Sequence, residues 1–415
     1  MIGFDRRSFI EMFSSTAASL SPAVRGSDGL LRFAADDGPT VDFSRTIKTP
    51  VILERLELFA LSPEDIFVRA VSRQGAQGVV KANARLAPLT SMFRDLVAPA
   101  LIGQDAREME ERITALAIRE YKYLSLPFWT AVGHAEMALW DMMGKEAGLR
   151  AVDMMGGVAR DRIPIYLSSL DRETTPEEEV EWLSEAVART GGRAMKLKIG
   201  GRMSRNADAS PGRQERLVAL VRRHFGDGMT IHVDANGSFD QPTAVEIAHM
   251  LEANGVGFFE EPCPWTDFEM TAAVTAAVDR AGMRLRVAGG EQDSSPETWR
   301  WYLGTRGLHI LQPDLFYNGG LLRALKVAWM AAAAGVPITP HWPRNGVESA
   351  ELLHFAAHVP NLYSQIEYRA RPPAHQSRAS PAIAPIDGAL SLPSGPGFGV
   401  TFDPSIFEKA KRLVV

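Results

Sequence analysis

From Arg162 onward, short apolar runs recur, each closed by a polar residue and most separated by a helix-like stretch such as Ala244–Ala253 or Leu321–Ala334. The runs are Ile163–Leu167, Met195–Lys198, Ile231–Asp234, Gly257–Glu260, Val287–Glu291, Ile310–Asp314, Pro337–His341 and Ser364–Glu367. From the second run to the eighth, the closing residues are Lys198, Asp234, Glu260, Glu291, Asp314, His341 and Glu367, spaced by 36, 26, 31, 23, 27 and 26 residues. Each interval is close to one strand–helix unit. Eight such units predict an α/β protein built as a (β/α)8 barrel rather than an open doubly wound sheet. No GxGxxG follows a strand, which disfavours a dinucleotide-binding fold. In a barrel, residues at the C-terminal strand ends line the mouth where catalysis takes place. The regular polar series therefore reads as an active site.

The rest of the chain is consistent with a second unit. Residues 46–75 alternate apolar and polar side chains, the period of an antiparallel meander. Residues 105–150 change to helical periodicity, with Ala135, Ala138, Leu139 and Met142 on one face of a helix expected to run to Gly144. At 415 residues the chain is nearly three times the ~150-residue domain norm. Its net charge of −5 gives no reason to expect a nucleic-acid or membrane-surface partner. No apolar run reaches the roughly 18–20 residues of a membrane span. The lone Cys263 excludes an internal disulfide. At the N-terminus, Asp5-Arg6-Arg7-Ser8-Phe9-Ile10 resembles a twin-arginine export signal, followed by a weakly apolar stretch from Met12 to Leu20. The expected location is the cytoplasm, with export as a folded protein as the alternative.

Asp234, Glu260 and Glu291 stand on three consecutive predicted strands. Converging carboxylates with no charge partner repel, and a divalent cation relieves this. An all-oxygen donor set favours Mg²⁺, with Mn²⁺ also possible. The alternative is that each carboxylate pairs with a nearby Lys or Arg. Glu261 is expected to face away from Glu260 along the strand and to act behind the ligands. Asn236 shares the parity of Asp234 and fits either the metal's waters or a turn at Asn236-Gly237. Lys196 and Lys198, at i and i+2, share one strand face, where two ammonium groups are expected to depress each other's pKa and make a usable base. Asp314 beside His341 would set the imidazole tautomer and raise its basicity. Glu367 is placed to exchange a proton with a substrate carboxyl oxygen. His232 reads as barrel core, and Cys263 as buried packing with no base to activate it.

Lys196-Leu197-Lys198, Asp234-Ala235-Asn236, Glu260-Glu261-Pro262, Gly290-Glu291, Asp314 with His341, and Glu367 together resemble the mandelate racemase group of the enolase superfamily. The likeness covers about residues 46–400 and takes in Ala138-Leu139-Trp140-Asp141 and Gly144-Lys145. It implies a modified TIM barrel, (β/α)7β, over residues 161–385, beneath an α+β capping domain at 46–160. Residues 1–45 would be an extension or signal and linker, and 386–415 a tail returning to the cap. It also implies abstraction of the proton α to a carboxylate, giving an enediolate held by Mg²⁺. Lys198 and His341 would be the opposed bases, and Lys196 and Glu367 would support the developing charge. The small-molecule partner would be a carboxylate, most simply a sugar acid that is dehydrated to a 2-keto-3-deoxy acid. Racemisation or epimerisation of a 2-hydroxy acid is the alternative, and a non-catalytic sugar-acid binder or another metal-dependent barrel enzyme such as an aldolase lies further off. Lactonising relatives carry a lysine on the sixth strand, where this chain has Asp314. Ser168, Asn318, Arg344 and Asn345 are candidates for sugar hydroxyls or ordinary loop residues. Gly200–Arg213 is a polar insertion at the mouth. Barrels of this kind commonly form homo-oligomers.

Overall fold

The computed structural model describes residues 39–371 and 378–414. The export-signal reading of the N-terminus lies outside them. Strands β1 (Leu53–Ala60), β2 (Ile66–Ser72) and β3 (Gln77–Ala82) form the expected antiparallel meander, and Lys411–Val414 pairs antiparallel with β1 to complete a four-stranded sheet.

Helices α1 (Met109–Arg119) and α2 (Leu126–Ala147) follow. The helix expected to reach Gly144 runs on to Ala147 and stops at Gly148, whose φ of 68° supplies the left-handed cap. It is also buried all round rather than along one face, since every residue from Phe128 to Gly144 is inside. Such a helix is enclosed on every side, and its buried polar side chains, Glu136 and Asp141 among them, take their partners from the neighbours that enclose it. Here β3 covers one side so closely that a Cβ at Gly78 would lie 2.1 Å from the Ala138 carbonyl and 2.3 Å from the Met142 nitrogen. Gly78→Ala is expected to cost about 1–3 kcal/mol through overpacking, and a denaturation midpoint equal to wild type would show that this packing is loose.

The barrel strands are β4 (Arg162–Ser168), β5 (Ala194–Lys198), β6 (Thr230–Asp234), β7 (Phe258–Glu260), β8 (Arg286–Gly289), β9 (Ile310–Leu311) and β10 (Ile366–Arg369). Consecutive strands from β4 to β9 pair in parallel. The expected seventh strand is reduced to one bridging residue, Ile338, between Leu311 and Leu362; β10 then pairs with β4 and the circuit returns on itself. The reason is local: Pro337 and Pro340 flank that segment and leave it few amide donors for a ladder. The intervening helices are α3 (Pro176–Thr190), α4 (Arg213–Phe225), α5 (Gln241–Ala253), α6 (Phe268–Arg280), α7 (Pro296–Thr305), α8 (Leu321–Ala333) and α9 (Ala350–His358). After β10 the place of an eighth barrel helix is not taken by a helix among the described residues. Instead Ala389–Ser391 runs antiparallel to the start of β4.

Side-chain caps start several of these helices where the mouth loops end. Thr175 and Glu178 form a capping box on α3, Asp240 accepts from Thr243 N on α5, and Asp267 accepts from Met270 N on α6. Deeper in the barrel, His232 lies stacked on Phe258 with ring centroids 3.8 Å apart, and Tyr166 stands edge-on to both. That aromatic layer fills the interior and leaves the polar residues at one end.

Candidate active site

The polar series converges at that end, but only in part by ending strands. Lys198, Asp234 and Glu260 are the last residues of β5, β6 and β7 and lie side by side in register. Glu291, Asp314 and His341 instead follow their strands by two or three residues, beyond the ladder, and Glu367 sits inside β10. Short strands with glycine- or proline-containing exits, such as Gly290 with its φ of 103°, carry these side chains inward.

Asp234, Glu260 and Glu291 are buried, and each offers a carboxylate oxygen within 4.8 Å of the others. The expectation that they lack charge partners is incorrect. The Lys198 ammonium touches Asp234 Oδ2, Lys196 Nζ lies 2.9 and 2.7 Å from the two Glu260 oxygens, and His341 Nε2 lies 3.2 Å from Glu291 Oε2. Burial of three carboxylates demands compensation, and the neighbouring strands supply it. The donor set nonetheless fits a hard divalent cation. All three candidate donors are carboxylates, and Glu291 Oε2 accepts no well-directed hydrogen bond despite the imidazole nearby.

Lys196 also differs from expectation. It does not share its field with Lys198 alone: Glu260 and Glu367 both contact it, the latter at 3.0 Å. Burial disfavours its charge, yet these carboxylates outweigh burial and hold the ammonium well above the ordinary lysine range. Lys196 is thus a fixed cation rather than a base. Glu367 is its counterpart: burial opposes its ionisation, but Lys196 and His341 hold it down at about 2. Ser168 Oγ and Trp342 N donate to its two oxygens at 2.7 and 2.6 Å.

His341 Nδ1 lies 2.8 Å from Asp314 Oδ2, while Asp314 Oδ1 accepts from the backbone of Phe316 and Tyr317, each at 2.8 Å. The carboxylate is therefore held from behind and orients the imidazole. Burial works against a charged His341, but Glu291, the Asp314 hydrogen bond and Glu367 push it up to about 10. Lys198 flanks the acidic triad at Asp234 and His341 flanks it at Glu291, with Glu260 on the strand between. The two proton-carrying groups stand at opposite ends of the cluster.

Glu261 does not face away. Its φ of 42° breaks the strand alternation, and Asn236 Nδ2, itself at a left-handed residue (φ 43°), reaches Glu261 Oε2 at 3.3 Å and Asp234 Oδ2 at 3.1 Å. Burial and the charges of Glu291, Asp234 and Glu260 hold the Glu261 carboxyl well above its usual range. Asn236 also accepts from Lys198 Nζ at 3.1 Å and so ties that ammonium to the acidic cluster.

Each of the four proposed hydroxyl contacts has a partner within the protein. Ser168 holds Glu367; Asn318 Oδ1 accepts from Trp299 Nε1 at 3.2 Å. Arg344 donates to the Lys81 carbonyl at 2.8 Å and pairs with Glu348 at 3.1 Å, and Asn345 Nδ2 donates to the carbonyls of Arg369 and Arg371. Three residues at the site went unnoticed in sequence. Gln312 Nε2 donates to Glu260 Oε2 at 2.7 Å, and its i,i+2 parity with Asp314 was a usable signal. Arg172 Nη2 donates to Asn236 Oδ1 at 2.9 Å, and Tyr317 lies 6.3 Å from His341 by ring centroids; neither had one. The Gly200–Arg213 stretch is a loop as far as the start of α4 at Arg213, folded over the β6 exit, with Met203 N bonded to the Asn236 carbonyl. Cys263 is buried, and burial pushes its thiol up to about 12, so it is no nucleophile.

Two family models match this architecture: the mandelate racemase/muconate lactonizing enzyme N-terminal domain over residues 66–156, and the enolase C-terminal domain-like family over residues 178–406, more than half of the chain. The chain belongs to the mandelate racemase/muconate lactonizing enzyme family. Among its family relatives, a D-galactarolactone cycloisomerase from Agrobacterium fabrum is 30% identical over 72% of this chain and 79% of its own length. A D-gluconate dehydratase from Thermoproteus tenax is 29% identical over 88% of this chain and 74% of its own. A crystal structure described as a putative racemase from Roseobacter denitrificans superposes with a TM-score of 0.81 at 30% identity, covering 87% of this chain and 98% of that one. Membership of this family agrees with the α/β TIM-barrel architecture seen here. Among the described residues no helix is long and apolar enough to cross a membrane.

Proposed function

We propose that this protein is a sugar-acid dehydratase that uses Mg²⁺, or Mn²⁺ in its place, to convert an aldonate or aldarate into a 2-keto-3-deoxy acid. The carrying observation is the pair of proton-transfer groups, Lys198 and the Asp314-oriented His341, placed at opposite ends of a buried carboxylate triad. Relatives named D-gluconate, arabinonate and D-galactonate dehydratase support this reading. Asp234, Glu260 and Glu291 would hold the cation, which when bound supplies positive charge against the negative charge developing on the substrate carboxylate.

The remaining work falls to the chain's own side chains. Lys198 takes the proton from the carbon α to the carboxylate, breaking the C2–H bond. Lys196, a fixed ammonium, stabilises the electron density that moves onto the carboxylate oxygens, and Glu367 keeps that ammonium in place. Protonated His341 gives its proton to the 3-hydroxyl as the C3–O bond breaks, and water leaves. The resulting enol then tautomerises to the ketone, gaining a proton at C3 and losing the one on its C2 oxygen, and exchange with solvent returns Lys198 and His341 to their starting protonation states. Asp314 keeps Nδ1 protonated, so that Nε2 is the nitrogen that exchanges the proton. Asn236 and Glu261 border the triad and Lys198, and orient them. The same two groups acting without a leaving hydroxyl would invert C2, which is the racemase reading.

Proton NMR of the protein with Mg²⁺ in D₂O, run against a panel of mono- and diacid sugars, separates these outcomes. Loss of substrate with growth of a 2-keto-3-deoxy product is expected. Deuterium entering C2 without net loss would replace dehydration by racemisation or epimerisation. Tight binding with neither exchange nor turnover would leave only a sugar-acid binder.

A further inference from the structure

Helix α8 starts at Gly320, which has no side chain to cap it. The cap comes instead from α2, outside the barrel. The fully buried Glu136 carboxylate accepts from Leu321 N at 2.8 Å and Leu322 N at 2.9 Å, and Trp140 Nε1 donates to it at 2.7 Å. A carboxylate on the free amides of a helix start satisfies orphan donors and opposes the positive end of the helix dipole. The fit leaves no slack. A Cβ at Gly320 would lie 2.2 Å from Glu136 Oε2, and one at Gly133, a turn earlier on α2, would lie 2.5 Å from the Phe316 carbonyl. Between them, the His134 ring lies flat on Phe316 with centroids 3.8 Å apart.

Together these contacts hold the short loop from Asp314 to Gly320 and the first residues of α8 that follow it. The other end of that loop is the Asp314 carboxylate, which accepts from Phe316 N and Tyr317 N and meets His341 Nδ1. The loop therefore connects a helix start fixed by Glu136 to the carboxylate that orients the imidazole. Lys198, carried on β5, has no such dependence.

We propose that Glu136 is a positioning residue for His341: from outside the barrel it fixes the start of α8 and the loop before it, and through that loop the Asp314 carboxylate. The proposal rests on the reading of His341 as the second proton-transfer group.

The test uses the full-length protein with Mg²⁺ and the near-isosteric Glu136→Gln, with Asp314→Asn as reference. Hydrogen-exchange mass spectrometry is expected to show faster exchange across 314–324, at Phe316 and Tyr317 as well as Leu321 and Leu322, by about ten- to a hundredfold, the loss of one hydrogen bond to a charged group. The strands β5 and β6 should exchange as in wild type. On a turned-over sugar acid, Glu136→Gln should change the ratio of C2 deuterium exchange to dehydration in the same direction as Asp314→Asn, with KM little altered. Faster exchange confined to Leu321 and Leu322, or C2 exchange and dehydration falling in step, would reduce Glu136 to a helix cap and overturn the proposal. If wild type turns over no sugar acid, the dehydratase reading fails while the exchange pattern still decides whether Glu136 holds Asp314. Should Glu136→Gln not fold, Glu136→Asp keeps the charge one methylene further from the amides. It should show the same pattern at reduced size, and an unchanged Phe316–Tyr317 segment there would equally overturn the proposal.

Discussion

Replacing Lys198 by alanine is expected to abolish C2 proton exchange and turnover together, by a factor of about 10²–10⁴, the usual contribution of a positioned general base. The side chain is buried at the end of β5, with its ammonium against Asp234 and Asn236. Alanine removes the base and also a cation that competes for Asp234. Mg²⁺ affinity, measured by calorimetry, should therefore hold or rise while catalysis is lost. That combination distinguishes a missing base from a collapsed site. Activity within tenfold of wild type would assign proton abstraction elsewhere, with His341 the first alternative. A sugar-acid binder with no chemistry would keep its ligand affinity in this variant and have no turnover to lose.

Lys196→Met should produce the largest loss of stability. It leaves Glu260 and Glu367, both buried, facing each other without the ammonium that contacts both. Breaking a buried ion pair from one side costs about 3–5 kcal/mol, because the remaining charge stays desolvated. Urea unfolding at neutral pH in the presence of a chelator measures it. The pH dependence has a definite sign. In the wild type Glu367 is held at about 2 against an ordinary 4.5, so its contribution is present above the ordinary range and is lost only as pH falls toward about 2. Without Lys196 the pair of carboxylates gains protons more readily than in the unfolded chain. The variant's deficit should therefore be greatest near neutrality and shrink as pH falls through 5 to 4. A deficit independent of pH would mean that the loss is packing, not charge.

Much of the site could be read along the chain because barrel strands are short and buried on both faces. Met195–Lys198 and Ile231–Asp234 carry apolar residues on one face, and on the other face parity places Lys196 with Lys198 and His232 with Asp234. Reasoning by parity fails where the backbone leaves the strand. Glu261 and Asn236 adopt left-handed φ values, so alternation predicts the wrong direction for Glu261. The prolines flanking Ile338 reduce a predicted strand to a bridge, though its spacing still delivers His341 to the mouth. The helix at 126–147 reads as amphipathic because small residues dilute its pattern, whereas close contact with Gly78 and the Asp314–Gly320 loop buries it throughout.

What the sequence by itself determined is the order and identity of the chemistry: which residue types end which strands, at intervals that only repeated strand–helix units produce. Those are properties of local periodicity, and each is carried by a few adjacent residues. Only the tertiary structure decided how the charges are shared. Lys196 lies between Glu260 and Glu367, Lys198 against Asp234, and His341, already expected beside Asp314, also against Glu291. These pairings join residues from 27 to 171 positions apart, and they set which ammonium is fixed and how the imidazole is aimed. No local pattern encodes them, because a Coulomb energy depends on the distance that barrel closure imposes and not on separation along the chain.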